Sequence, residues 1–234
     1  MGIEYLLYIL SILAILLCIY AQFKVQSTFN KYSSVYTRFG TASSVARSIL
    51  DGAGLFDVAI ERVYGSLTDH YDPRARVLRL SDAVYDSSSM AAIGVAAHEC
   101  GHAIQHAKGY FPLKLRTVIA PAVGFASRFN WLVIMLGILF MAFDAYLGYY
   151  VVLIGIGLFV ITTAFQLITL PCELNASGRA LSALRGMGTY SGEELSASKR
   201  VLSAAAFTYV AALLVSLLQL LRLLVRFVGR GRRR

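Results

Sequence analysis

Charge is scarce in this chain. Only 15% of its 234 residues are charged, against 57% hydrophobic. Mean hydropathy is +0.63. Such a balance lies outside the range of an ordinary soluble domain. Cysteine is scarce too: there are three, an odd number with no paired spacing. That argues against a disulfide framework and fits a reducing compartment. The start of the chain, 3–20, is nearly all apolar, is broken by Glu4, and lacks both a basic n-region and an A-x-A-like cleavage site. It reads as an uncleaved anchor rather than a signal peptide.

The apolar residues that are present gather into runs of spanning length. Two further runs, 131–145 and 149–170, are split by Asp144 and Gly148 and form a transmembrane hairpin with a very short loop. A fourth run, 203–221, admits two readings. Ser216, Gln219, Arg222, Arg226 and Arg230 recur at spacings of three and four, so this run either spans and snorkels or bends into the interface. The tail GRGRRR is expected beside anionic headgroups, and no nucleic-acid role is expected for it. Segment by segment, the chain divides into an anchor (1–22), a more polar region outside the lipid (23–128), a transmembrane hairpin (129–170), a helical segment (171–202) and a C-terminal transmembrane or interfacial helix with a basic tail (203–234). The expected fold class is a mainly α membrane protein with three to four transmembrane helices and a small α+β region.

The most informative string is His98-Glu99-Cys100-Gly101-His102, inside AAHECGHAIQHA. Residues four apart share one face of a helix, so both imidazoles can reach one metal ion with Glu99 beside them. That is the H-E-x-x-H pattern of two zinc ligands and a general base. Asp86 and Ser87 to Ser89 can cap the start of this helix. A catalytic zinc needs a third protein ligand and an open position for water. His106 is four residues further on the same face. Yet His98 to His106 spans about 12 Å at the helical rise, too far for one ion, so His106 is read as a hydrogen-bonded histidine. Glu173, in LPCELNASGRAL, is the better candidate. Pro171 suits the first turn of a new helix, and a carboxylate beside so apolar a stretch is costly unless paired or bound to metal. The competing reading is a helix-start carboxylate favoured by the macrodipole. Topology favours the ligand reading: 22–128 and 172–202 fall on one side of the lipid, so His98, His102 and Glu173 meet there.

The stretch GSLTDHYDPRARVLRLSDAVYDSSSMAAIGVAAHECGHAIQHAKGY resembles the YugP-type membrane zinc metallopeptidases, a bacterial family related in motif logic to HtpX-type membrane proteases. ARSILDGAGLFDVAIERV and ELNASGRAL resemble it as well, and the likeness covers 29 to about 202. It implies one Zn²⁺ held by His98, His102 and Glu173, with Glu99 as the catalytic base. The broader glutamate-zincin pattern carries Asp four residues after the ligand Glu, to bond a zinc histidine. Here that position is Ser177, with Asn175 nearby, and either is a candidate acceptor. In resembling proteases a strand just ahead of the zinc helix pairs with extended substrate. Leu78, Arg79 and Leu80 alternate as such a strand should; an ordinary structural hairpin around Asp72-Pro73-Arg74 is the other reading. An oxyanion donor is expected, with Tyr190, Tyr71, His70 and Arg179 as candidates that spacing does not separate. Leu50-Asp51-Gly52 reads as a glycine-capped helix end, and Cys100 and Cys172 as core residues.

The expected function is a membrane-anchored zinc endopeptidase acting on protein or peptide substrates at the bilayer surface. The rival class is a non-catalytic membrane scaffold or chaperone holding zinc for structure. Intramembrane proteolysis is disfavoured, because the zinc helix carries too many polar groups to span. Lys24, Lys31, Lys114, Arg116, Arg128, Arg179, Arg185, Lys199 and Arg200 lie on the catalytic side, and the hairpin loop carries no Lys or Arg. The positive-inside rule therefore puts that side in the cytoplasm; the arginine tail would lie outside if the fourth run spans fully, and the larger set of loop charges outweighs it.

Overall fold

The computed structural model describes residues 2–228. The arginine tail expected at the headgroups, and Arg230 of the amphipathic stripe, lie outside the described residues. The chain is a mainly α membrane protein with a small three-stranded sheet. The elements run α1 (Gly2–Tyr32), α2 (Ala42–Gly52), β1 (Ala59–Val63), β2 (His70–Asp72), β3 (Val77–Ser81), α3 (Asp82–Tyr85), α4 (Met90–Ala107), α5 (Phe111–Phe140), α6 (Ala145–Gly186) and α7 (Gly192–Leu223). A π-helical turn, Leu224–Val228, follows. Among the described residues, α1, α5, α6 and α7 are long and apolar enough to cross a membrane.

The chain forms two units. The first comprises the described parts of Met1–Tyr20, Leu115–Thr169 and Tyr209–Arg234. Its exposed surface is rich in Leu, Ile, Phe and Tyr, as lipid-facing helices require. Inside, Ile134, Val152, Ile156, Phe159 and Leu223 cluster. The hairpin is tight because α5 and α6 touch backbone to backbone. A Cβ at Gly137 would sit 2.6 Å from Val152 N, the small-residue contact on which lipid-embedded helices rely. Asp144 caps α6 by accepting from the N–H groups of Tyr146 and Leu147 at 2.8 and 3.0 Å. The first turns of α1 meet the end of α7: Arg226 donates to Tyr8 Oη at 3.2 Å, and the Arg222 guanidinium lies 4.8 Å over the Tyr8 ring. Arg222 and Arg226 thus close the far end of a helix of spanning length.

The second unit comprises Ala21–Lys114 and Leu170–Thr208. Its axis is α4, whose Ala91, Ala92, Ala96, Ala97 and Ala103 are all buried. Small side chains let other helices approach closely. Val45, Ala46, Ile49 and Leu50 of α2 join the same core, with Ala180 and Leu184 of α6 and Ala197, Val201 and Leu202 of α7. Ser89 is the N-cap of α4, its side chain accepting from Ala92 N at 3.2 Å. Asp86, another of the expected caps, pairs instead with Arg62. At the end of α2 the left-handed residue is Gly54, at φ 74°, two residues beyond the expected Gly52.

Two expectations change here. Pro171 does not start a helix; it lies inside α6, which runs unbroken through it. Proline in long apolar helices is tolerated because neighbouring groups satisfy the freed carbonyl. The sheet order is β1-β3-β2, with β1 parallel and β2 antiparallel to β3. The strand expected to receive substrate is therefore the central one. Leu78 pairs with both Ile60 and Tyr71, Arg79 with both Glu61 and His70, and Leu80 with Arg62. Leu78 and Leu80 are fully buried. Paired on both sides, Leu78 and Arg79 have no edge to offer; Leu80 is paired on the β1 side and fully buried. The edge nearest α4 belongs to β2.

The glycine in H-E-C-G-H has a steric reason. A Cβ at Gly101 would lie 2.4 Å from Ala176 O and 3.1 Å from Ala176 Cα, in the backbone of α6. Gly101→Ala should destabilise the fold by about 1–3 kcal/mol, the usual cost of overpacking. Thermal unfolding in detergent reads this directly, and an unchanged midpoint would refute the close packing of α4 on α6.

Candidate metal centre

Two helices each contribute an i, i+4 pair. From α4 come His98 and His102, whose rings meet edge to face with centroids 4.8 Å apart. From α6 come Glu173 and Ser177. Glu173 Oε2 lies 3.1 Å from His98 Nε2 and 3.6 Å from His102 Nε2. One ligand atom from each of the three residues falls within 4.8 Å of the others. A tetrahedral ion with bonds of 2.0–2.1 Å separates neighbouring ligand atoms by about 3.3 Å. The two observed distances bracket that edge, and two imidazoles with one carboxylate are a zinc donor set. The residues present fit the ion.

The bonds behind these side chains favour the same geometry. His98 Nδ1 lies 3.1 Å from Ser177 Oγ, and His102 Nδ1 lies 3.0 Å from Gln105 Oε1. With each Nδ1 so engaged, both Nε2 atoms turn toward Glu173. Asn175 reaches neither histidine. Its Oδ1 accepts from Gln105 Nε2 at 3.0 Å and from Arg179 Nε at 2.7 Å. Gln105 was not foreseen in the sequence. Its signal was a buried amide one helical turn after a candidate ligand, within HAIQH.

Glu99 points elsewhere. Its Oε2 accepts from the backbone N–H of Tyr71, in β2, at 3.0 Å. Burial pushes its carboxyl above the ordinary range; His98 and His102 pull it down, and Glu173 and Asp69 add to the rise. The same Tyr71 bonds His106, Oη to Nδ1, at 2.9 Å. His106 is absent from the three-residue cluster.

The remaining oxyanion candidates scatter. Tyr190 belongs to the apolar core, edge-on to Phe39 at 6.0 Å, with its hydroxyl lacking a hydrogen-bond partner. Burial, with the Glu194 charge, pushes that phenol up to about 12. His70 is exposed, its Nδ1 2.9 Å from Thr68 O. Arg179 leans over Tyr110 at 5.9 Å. Of the four, Tyr71 is the one that contacts Glu99. The cysteines stay aside: Cys100 donates weakly to Ala46 O at 3.6 Å and Cys172 to Gln105 Oε1 at 3.5 Å.

Residues 7–228 match the model of a family described as "putative neutral zinc metallopeptidase". The chain belongs to this family. It is also 48% identical over 223 residues to "Putative membrane protease YugP" of Bacillus subtilis (strain 168), covering 94% of this chain and 96% of that protein. No solved structure matches. His98, His102 and Glu173 form a cluster that could hold a metal ion, and the family description names zinc.

Electrostatics make the cluster a cation trap. Burial opposes a charge on His102, but its bonds to Cys172 and Glu173 and the charges of Glu99 and Glu173 outweigh this and push it up to about 10. In the metal-free protein this contribution to stability is fully present below the ordinary histidine range, and is lost as pH rises through about 10. Metal must displace that proton. Zinc affinity should therefore rise about tenfold per pH unit for each proton released, measured by chelator competition between pH 6 and 8. A pH-independent affinity would exclude His102 as a ligand.

Proposed function

We propose that the protein is a membrane-anchored zinc endopeptidase that hydrolyses protein or peptide substrates near the membrane surface, with one Zn²⁺ per chain held by His98, His102 and Glu173. The observation that carries this reading is the convergence of Glu173 on His98 from 75 residues away, with Glu99 adjacent yet outside the ligand cluster. Bound there, zinc supplies Lewis acidity toward a water and the scissile carbonyl.

The chain's own residues do the rest. Glu99 takes the proton of the attacking water and returns it to the leaving amine. The Tyr71 N–H holds one of its oxygens, leaving the other for the water, and burial raises its proton affinity toward that of a working base. Ser177 orients His98 from the position where broader relatives of this motif carry Asp. The rival reading, a scaffold or chaperone with structural zinc, calls for four protein ligands, often cysteines. Cys100 is turned to Ala46 O, Cys172 borders His102 and donates to Gln105 Oε1, and neither joins the three clustered donors, which favours the three-ligand catalytic reading.

Glu99→Gln should keep its zinc and fold while cleavage of a membrane-protein panel falls about 10²–10⁴-fold, the usual contribution of a general base. Glu173→Ala should lose the metal and His106→Ala should retain it, by elemental analysis of the purified proteins. Near wild-type cleavage by the Glu99 variant would remove the mechanism. Zinc that depends on His106 instead of Glu173 would remove the ligand set.

We place the catalytic side in the cytoplasm, on the loop charges and the absence of Lys and Arg from the hairpin turn. Accessibility labelling at Ser43 should come from the cytoplasm, and at Gly148 from outside. External labelling at Ser43 would invert the orientation and redirect the substrate search.

A further inference from the structure

Gln105 is fully buried, one turn beyond His102 on α4. A buried amide is costly unless its groups are satisfied, and every group of this one has a partner. Nε2 carries two hydrogens: one goes to Cys172 O at 2.8 Å, the other to Asn175 Oδ1 at 3.0 Å. Oε1 faces His102 Nδ1 at 3.0 Å. The orientation of the amide follows from chemistry. A backbone carbonyl can only accept, so the nitrogen must face Cys172. The oxygen must then face His102, and His102 Nδ1 must carry the proton. Once metal displaces the other proton, the Nε2 lone pair of His102 faces the Glu173 side of the site, as ligation requires.

The acceptor that forces this arrangement is the carbonyl of Cys172, the residue immediately before Glu173. One side chain therefore reads the seating of α6 and sets the ligating state of α4. We propose that Gln105 is a positioning residue that fixes His102 in its Nδ1–H form and ties this to the placement of Glu173. The inference rests on the three-ligand zinc site proposed above.

Two variants separate positioning from packing. Gln105→Met fills the space but offers His102 no acceptor. Gln105→Glu keeps an acceptor for Nδ1 and loses the donors to Cys172 and Asn175. Zinc affinity by chelator competition should fall about 10–100-fold in Gln105→Met, the usual cost of losing such a partner. Gln105→Glu, which keeps that acceptor and loses only the ties to Cys172 and Asn175, should lose less than Gln105→Met. Equal losses in the two would mean that the amide serves packing alone, and would overturn the proposal. Should Gln105→Met fail to fold, ¹⁵N-histidine NMR of the zinc-loaded wild type decides: a proton on His102 Nδ1 with metal on Nε2 is expected, and the reverse overturns it. A wild-type protein that binds no zinc would instead refute the metal site itself.

Discussion

A carboxylate almost withdrawn from water must be met by cations or donors, and Glu173 is only 3% exposed. The second unit is arranged around meeting it. Bare burial of such a group costs several kcal/mol. Two imidazoles at 3.1 and 3.6 Å from one of its oxygens offset that cost. They can do so only because α4 lies against α6 with no side chain between them at Gly101. The alanines of α4 serve the same end on its other faces, where α2 and α7 close in. Steric smallness and electrostatic demand are thus two aspects of one constraint.

Within this arrangement the acidic groups divide their roles. Glu173 faces both histidines. Glu99, one residue from His98 in sequence, projects to a different neighbour and is held by the edge strand β2 through Tyr71. The same tyrosine closes the far end of α4 through His106. The small sheet therefore does more than cover the core: its edge fixes the candidate base. Its central strand, paired on both sides, supplies rigidity.

Much of this was legible in the chain. Four apolar runs announced the long helices, and H-E-C-G-H announced α4, because helical periodicity and spanning length are local properties. Glu173 was legible through polarity in an apolar setting. Three features were not. The sheet order depends on a parallel pairing between β1 and β3 that no local pattern encodes, so the central strand was mistaken for an edge. Pro171 signalled a helix start, but α6 tolerates it internally. Gln105 passed unnoticed because an amide declares its partners only once the fold brings Cys172 and Asn175 to it. Ser177, named from its spacing to Glu173, does lie beside His98, whereas Asn175 bonds Gln105.

The most direct measurement of the central claim is zinc-edge X-ray absorption on the purified protein. The account predicts two nitrogen and one carboxylate oxygen ligand at about 2.0–2.2 Å, with a further light-atom ligand from water. A sulfur shell near 2.3 Å, or a fourth protein ligand in place of water, would contradict it and favour a structural site.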